Sequence, residues 1–134
     1  MEKIQSPYEN LLEMYIVEKR AGFCRIGLAY REALTNPHGH FHGGAIASMV
    51  DTASVQALRI IFPPGPYLTV SLEIRYKNSS HSSEIFAEAR AEHLKGKFFS
   101  CEVKVSDKEG KLLAEAKVKS FLPKWSESLL TDKG

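Results

Sequence analysis

The chain has no uninterrupted apolar run near the roughly 20 residues that a membrane-spanning helix needs. Its first residues, Met1-Glu2-Lys3-Ile4-Gln5, carry no apolar signal core. Neither a membrane partner nor export is therefore expected. Cysteine is scarce: Cys24 and Cys101 lie far apart in strand-like stretches, without partners at metal-ligand or redox spacing. That argues against a disulfide framework and reads as two small buried hydrophobes in a reducing, cytoplasmic compartment. Net charge is low as well. At +2, with lysines scattered among glutamates and no basic block, there is no electrostatic case for nucleic acid as a partner. Internal repeats, linkers and low-complexity segments are absent too. What is present, 134 residues at 43% hydrophobic and 25% charged, is ordinary globular composition. It implies one domain over 1–134, able to bury roughly two-thirds of its unfolded surface.

Ser6-Pro7-Tyr8-Glu9 predicts a helix start, with Ser6 as cap, Pro7 in the first turn and Glu9 closing a capping box, and a short helix through Glu13. Met14–Arg20 and Phe23–Tyr30 flank Ala21-Gly22 and predict a hairpin, with Cys24, Ile26, Leu28 and Tyr30 on one face. After a loop from Thr35 to Gly44, Ala45–Ile61 is apolar nearly all round and predicts a long buried helix, ended by Pro63-Pro64-Gly65-Pro66. Four strands follow. Tyr67–Lys77 alternates, with Leu68, Val70, Leu72, Ile74 and Tyr76 on one face and Thr69, Ser71, Glu73 and Arg75 on the other. Glu84–Leu94 points Ile85, Ala87, Ala89 and Ala91 inward; Lys97–Ser106 does the same with Phe99, Cys101, Val103 and Val105. Lys111–Leu122 is expected to bury Leu112, Ala114, Ala116 and Val118, before a loose polar tail from Lys124. Tight turns at Lys95-Gly96 and at Asp107–Gly110 make these strands antiparallel neighbours. The fold class is α+β: a six-stranded antiparallel sheet curled around one long helix. One helix cannot cover both sides of such a sheet, so an edge or outer face is expected to meet a second subunit.

The chemistry concentrates in Asn36-Pro37-His38-Gly39-His40-Phe41-His42-Gly43-Gly44 and the helix it opens. Asp51 sits mid-helix, and its neighbours at helical spacing (Ala47, Ser48, Ser54 and Val55) include no cation. A carboxylate on a buried helix is costly unless it is paired, hydrogen-bonded or working. Gly43-Gly44 at the helix N-terminus offer amides without intrahelical partners, a favourable dipole and close backbone approach, the requirements of an oxyanion site. Asn36 and His42 supply polar side chains to orient a substrate or a water. Gly43 and Asp51 are separated by about 12 Å along the helix axis, which favours a site shared between two subunits.

Asn36, His42-Gly43-Gly44 and Asp51 resemble the Asn, His-Gly-Gly and Asp pattern of hotdog-fold acyl-CoA thioesterases, in the branch of phenylacetate-degradation-type enzymes and their mammalian thioesterase-superfamily relatives. The resemblance covers about Met14 to Leu122. It extends to the strand Leu68–Tyr76, where a hydroxyl residue falls at Thr69, and to the turn Lys95-Gly96-Lys97. It implies a hotdog fold in a homodimer or homotetramer, with acyl-CoA as substrate and no further cofactor. Asp51 would act as general base or nucleophile in the neighbouring subunit's site. The Gly43 N–H would polarise the thioester carbonyl, Asn36 and His42 would position that carbonyl or the water, and Thr69 would hold the water near Asp51. Gly44 and the Lys95-Gly96-Lys97 turn would lie along the coenzyme A moiety. Lys95, Lys97 and Arg90 are candidates for its phosphates, against the plain reading of solvated strand-end charges. Where the family usually has a proline after this strand, the chain has Asn78-Ser79-Ser80-His81-Ser82-Ser83.

Other chemistries fit less well. His38, His40 and His42 alternate and would suggest zinc or iron, but further ligands and supporting partners are wanting. Ser48 and Ser54 lack a strand-to-helix elbow, and Cys101 lacks a base. A non-catalytic acyl-CoA or acyl-carrier binding module on the same fold is the main alternative. A hotdog hydratase or dehydratase would place its His and acid differently.

Overall fold

The computed structural model describes residues 2–4, 6–61 and 66–123. The elements are β1 (Glu2–Lys3), α1 (Pro7–Leu12), β2 (Tyr15–Arg20), β3 (Phe23–Ala29), a 3-10 turn at Glu32–Leu34, α2 (Gly43–Ile61), β4 (Leu68–Tyr76), β5 (Glu84–Lys95), β6 (Phe98–Asp107) and β7 (Leu112–Phe121). The strands form one antiparallel sheet in the order β1-β2-β3-β5-β6-β7-β4. Seven strands stand where six were expected, because Glu2–Lys3 adds a two-residue edge beside β2. The sheet wraps α2, as the hotdog fold requires. The proposed turn at Pro63-Pro64-Gly65 and the tail from Lys124 lie outside the described residues. Among the described residues no helix is long and apolar enough to cross a membrane.

Small residues let the sheet close on the helix. Ala53 and Ala57 of α2, Ala87 and Ala89 of β5 and Ala114 of β7 are fully buried. Ile26, Leu28, Met49, Ile85 and Val105 fill the space between them, at roughly 1.5–3 kcal/mol for each large side chain buried. The helix is not buried all round, however. Gly44, Ala47, Ser48, Asp51, Val55 and Arg59, spaced three or four apart, form a stripe that the sheet leaves open. Composition hid this stripe because most of its members are small or apolar.

Three local readings need correction. Ser6 caps α1 by position only: its side chain makes no capping bond, and Glu9 reaches across to Thr52 instead of back to Ser6. α1 ends at Leu12, with Glu13 in the left-handed conformation at φ 62°. Strict alternation fails in β4, where Thr69 pairs with Ser120 and Ser71 with Lys119, so Val70 is an extra, bulged residue. The bulge turns Thr69 to the same face as Leu72, Ile74 and Tyr76, the helix side. A second irregularity, with Val105 opposite Ala114 and Ser106 opposite Leu112, makes Leu113 the fully buried leucine in place of Leu112.

β4 is a sheet edge, and its apolar residues stay open: Leu68, Val70 and Tyr76 are 47%, 55% and 51% exposed. A long edge with apolar side chains and unpaired backbone is a template for another strand.

Candidate active site

The loop before α2 is built around Asn36. Its Oδ1 accepts the backbone N–H groups of His38 (2.9 Å) and His40 (3.2 Å), and its own N–H bonds the His40 carbonyl at 2.8 Å. Gly39 supplies the positive φ of 79° this tight turn needs, and the Tyr30 hydroxyl holds the Gly39 carbonyl at 2.9 Å. Phe41 plugs the loop into the core edge-on to Tyr30, while its N–H bonds the Ser80 carbonyl. Asn36 is thus first a turn residue. Its amide nitrogen makes no bond among the described residues and remains a donor.

His42 is the N-cap of α2. Its carbonyl accepts from Ala45 and Ile46, and its ring Nδ1 accepts the Gly44 N–H at 2.8 Å. An accepting Nδ1 puts the ring proton on Nε2, which makes that edge a donor. A Cβ on Gly44 would stand 2.9 Å from this Nδ1, so the glycine is what lets the imidazole lie over the helix end. The Gly43 N–H, the first amide of the helix, has no partner among the described residues. The Gly43 carbonyl is held by the Tyr76 hydroxyl at 2.8 Å. Burial raises the Tyr76 phenol above its ordinary value, so it donates as a neutral hydroxyl.

Eight residues on, Asp51 lies on the open stripe and accepts the Thr69 hydroxyl at 2.5 Å. The β4 bulge makes this contact possible. Two clefts meet at Asp51. One of about 320 Å³ is walled by Tyr8, Ser48, Thr69 and Leu72; the other, of about 700 Å³, follows α2 toward Arg59. Glu9 and Thr52 border both. Tyr8 donates to Ser48 Oγ at 2.6 Å, and Ser48 donates to the Gly44 carbonyl at 2.9 Å. Glu9 Oε1 accepts from Thr52 at 3.1 Å, while Oε2 is shut from water without a partner among the described residues.

The expected residues therefore fall into groups. Asn36, His42, Gly43 and Gly44 form one constellation, and Asp51 and Thr69 form another two helical turns away. The Lys95-Gly96-Lys97 turn, with Gly96 at φ 58°, sits at the sheet end where Phe98 and Leu68 both pair with Phe121. Arg90 projects from β5 onto the Phe23 ring, 4.8 Å from its centroid, on the face opposite inward-pointing Ala89. Within one chain it does not join Asp51. His40 packs against His81, with ring centroids 5.2 Å apart. Among the described residues no three His, Cys, Asp or Glu side chains gather to hold a metal. Burial pushes the Cys24 thiol up to about 11 and Cys101 up to about 12, so both stay protonated near neutral pH.

Tyr8, Glu9, Ser48, Thr52 and Tyr76 were not singled out as site residues from the sequence. Glu9 was assigned to a local cap. Tyr76 had one usable signal, an aromatic hydroxyl at the inward end of the strand after the helix.

The sequence matches the family model of the thioesterase superfamily over residues 38–114, more than half of the chain. No curated protein matches it. Among solved structures, it superposes on a conserved protein from Pseudomonas aeruginosa with a TM-score of 0.82 at 24% identity, covering 88% of this chain and 94% of that one. Zebrafish thioesterase superfamily member 2 gives a TM-score of 0.81 at 24% identity, covering 89% of each chain. The E. coli PaaI protein of the phenylacetic acid degradation operon gives 0.80 at 19% identity, covering 89% of this chain and 86% of that one. At these identities the likeness is one of fold.

Proposed function

Because the chain belongs to the thioesterase superfamily, we propose that it hydrolyses acyl-CoA thioesters to the free acid and coenzyme A, in sites shared between two subunits. The observation that carries the reading is Asp51: a carboxylate on the open stripe of α2, oriented by the Thr69 hydroxyl and opening on two clefts. A thioester has two arms, acyl and pantetheine, and two clefts diverging from one carboxylate suit such a substrate.

Asp51 and Gly43 lie about 12 Å apart on one rigid helix, too far to serve the same carbonyl carbon. Pairing of two β4 edges, with their exposed Leu68, Val70 and Tyr76, joins two sheets and brings Gly43 of the partner subunit to Asp51. A dimer of dimers extends the same assembly. Acting as general base, Asp51 takes a proton from water as the water oxygen bonds the thioester carbon. The oxyanion is held by Gly43 N–H of the partner subunit. The C–S bond then breaks, and the thiolate takes up the proton to leave as the thiol. Acting as nucleophile, Asp51 bonds the thioester carbon as the C–S bond breaks and the thiolate leaves, taking a proton from solvent, and water then opens the mixed anhydride at the Asp51 carboxyl carbon. Loss of one oxyanion donor typically slows such chemistry by roughly 100- to 1,000-fold. The Asn36 amide nitrogen and His42 Nε2 position the carbonyl, and Lys95 and Lys97 meet the coenzyme A phosphates.

A thiol-release assay over short, medium, long and aromatic acyl-CoAs tests the reading. Turnover is expected with the wild type and none with Asp51→Ala, at unchanged circular dichroism. Retained turnover in that variant would remove the assignment. Tight acyl-CoA binding by the wild type without thiol release would replace it with a binding module. Single turnover in isotope-labelled water separates base from nucleophile: only the nucleophile leaves label in Asp51.

A further inference from the structure

The larger cleft beside Asp51 is a channel laid along α2. Asp51, Val55 and Arg59 are four residues apart and fall on one stripe, and all three border it. Its wall carries Val55 and Ile60 of α2 and Ile4 and Ile16 of the neighbouring edge, beside the polar Gln56. The charges along it are unevenly satisfied. Lys19 is spent on Glu2 at 3.4 Å, whereas Arg59, on α2 itself, and Lys3, on the neighbouring edge, form no ion pair among the described residues. Asp51 at the other end is engaged by Thr69, and Glu9 by Thr52 through Oε1 alone, its Oε2 having no partner among the described residues. The channel therefore offers a carboxylate at the reacting end, four alkyl side chains along its wall and, in the last turn of α2, an exposed guanidinium with no carboxylate partner among the described residues.

We propose that Arg59 is a specificity-determining residue that selects acyl-CoA substrates ending in a second carboxylate, the ω-carboxyacyl thioesters. The proposal rests on the thioesterase reading of the same site. With the thioester carbon at Asp51, the acyl chain runs along Val55 and Ile60 and its terminal carboxylate meets the Arg59 fork. Eight residues advance about 12 Å along the axis, the reach of a medium-length chain of roughly six to ten carbons. Arginine suits this role because its planar fork binds carboxylates in a bidentate manner and stays charged throughout the working pH range. A methyl-terminated chain of equal length leaves the guanidinium without that partner.

The test compares kcat/KM for suberyl-CoA and octanoyl-CoA, with adipyl/hexanoyl and sebacyl/decanoyl pairs to bracket length. The wild type is expected to favour the carboxylated member by roughly 10- to 100-fold, the worth of a charge-assisted hydrogen bond. Arg59→Gln should bring the ratio close to one by slowing only the carboxylated member, and Arg59→Lys should restore part of it. A purely structural role at the helix end would lower both members together and leave their ratio unchanged. Equal rates on both members by the wild type overturn the proposal. So does an Arg59→Gln variant whose KM rises equally for all acyl-CoAs, which assigns the arginine to coenzyme A phosphates. If no thioester in the series is hydrolysed at all, the thioesterase reading fails first, and that outcome is distinct from hydrolysis without preference.

Discussion

Replacing Gly44 with alanine separates stability from function at the helix N-terminus. The added Cβ would sit 2.9 Å from His42 Nδ1 and 3.2 Å from its Cε1, so the imidazole must swing off the helix end. Two stability terms then oppose each other. Loss of the His42 cap costs about 1 kcal/mol. Glycine to alanine in a helical backbone returns up to about 1 kcal/mol, less in the first turn. The terms nearly cancel, so Tm should move by no more than about 4 °C. Catalysis has no such compensation. The ring whose Nε2 is proposed to position the carbonyl is displaced, and kcat should fall about 10-fold or more, the yield of one lost hydrogen bond. A double-mutant cycle with His42→Ala sharpens the test. Once the imidazole is gone, the same Gly44→Ala change meets no obstruction and should stabilise the protein by a few tenths of a kcal/mol or more. Differential scanning fluorimetry and thiol release on the four proteins read both quantities. If Gly44→Ala left activity at the wild-type level, or were equally stabilising in both backgrounds, the link between glycine, imidazole and helix end would be refuted.

Two further predictions concern hydrogen-bonded carboxylates. Thr69→Val removes the hydroxyl that orients Asp51 while keeping a β-branched residue on an exposed strand; kcat should drop about 5- to 10-fold with Tm nearly unchanged. Asp107 is a stability group: burial alone would raise its carboxyl, but the N–H of Lys111, the Ser80 hydroxyl, the Glu109 N–H and the Lys111 charge outweigh burial and hold it below the usual range. A lowered folded value means its contribution is present above the ordinary carboxylate range and is lost as pH falls through the lowered value. Asp107→Asn should therefore melt below the wild type at neutral pH, with the gap closing on acidification in a thermal-melt series.

The sequence carried the parts of this molecule that depend on local pattern. The helix behind His42-Gly43-Gly44, the β2–β3 hairpin and the inward faces of β5 and β6 follow from periodicity and turn residues that neighbouring positions supply. The missed features depend on distant partners. The Val70 bulge exists only in the pairing of β4 with β7, and a one-residue slip there decides which face Thr69 takes. Leu113 displaces Leu112 from the core for the same kind of reason. Glu9 looked like half of a local capping box, but Thr52, far along the chain, competes for it once α1 lies on α2. The open stripe of α2 was masked because alanine, glycine and valine look alike in buried and open positions. Alternation with Ala89 and Ala91 already puts Arg90 on the outer face; what needs the sheet register is its partner, Phe23 of β3.

The claim that one continuous motif serves two sites is tested by complementation. Asp51→Ala removes the carboxylate. Gly43→Pro removes the N–H at a position where proline is suited to the helix, and an added Cβ meets the Tyr76 ring at an ordinary 3.5 Å. Each variant alone should be inactive. Co-refolded in equal amounts, they should recover about one quarter of wild-type thiol release, because half the dimers are mixed and each mixed dimer keeps one intact site. A mixture as inactive as its components, at dimer content equal to the wild type, would contradict a site shared between Asp51 of one subunit and Gly43 of its partner.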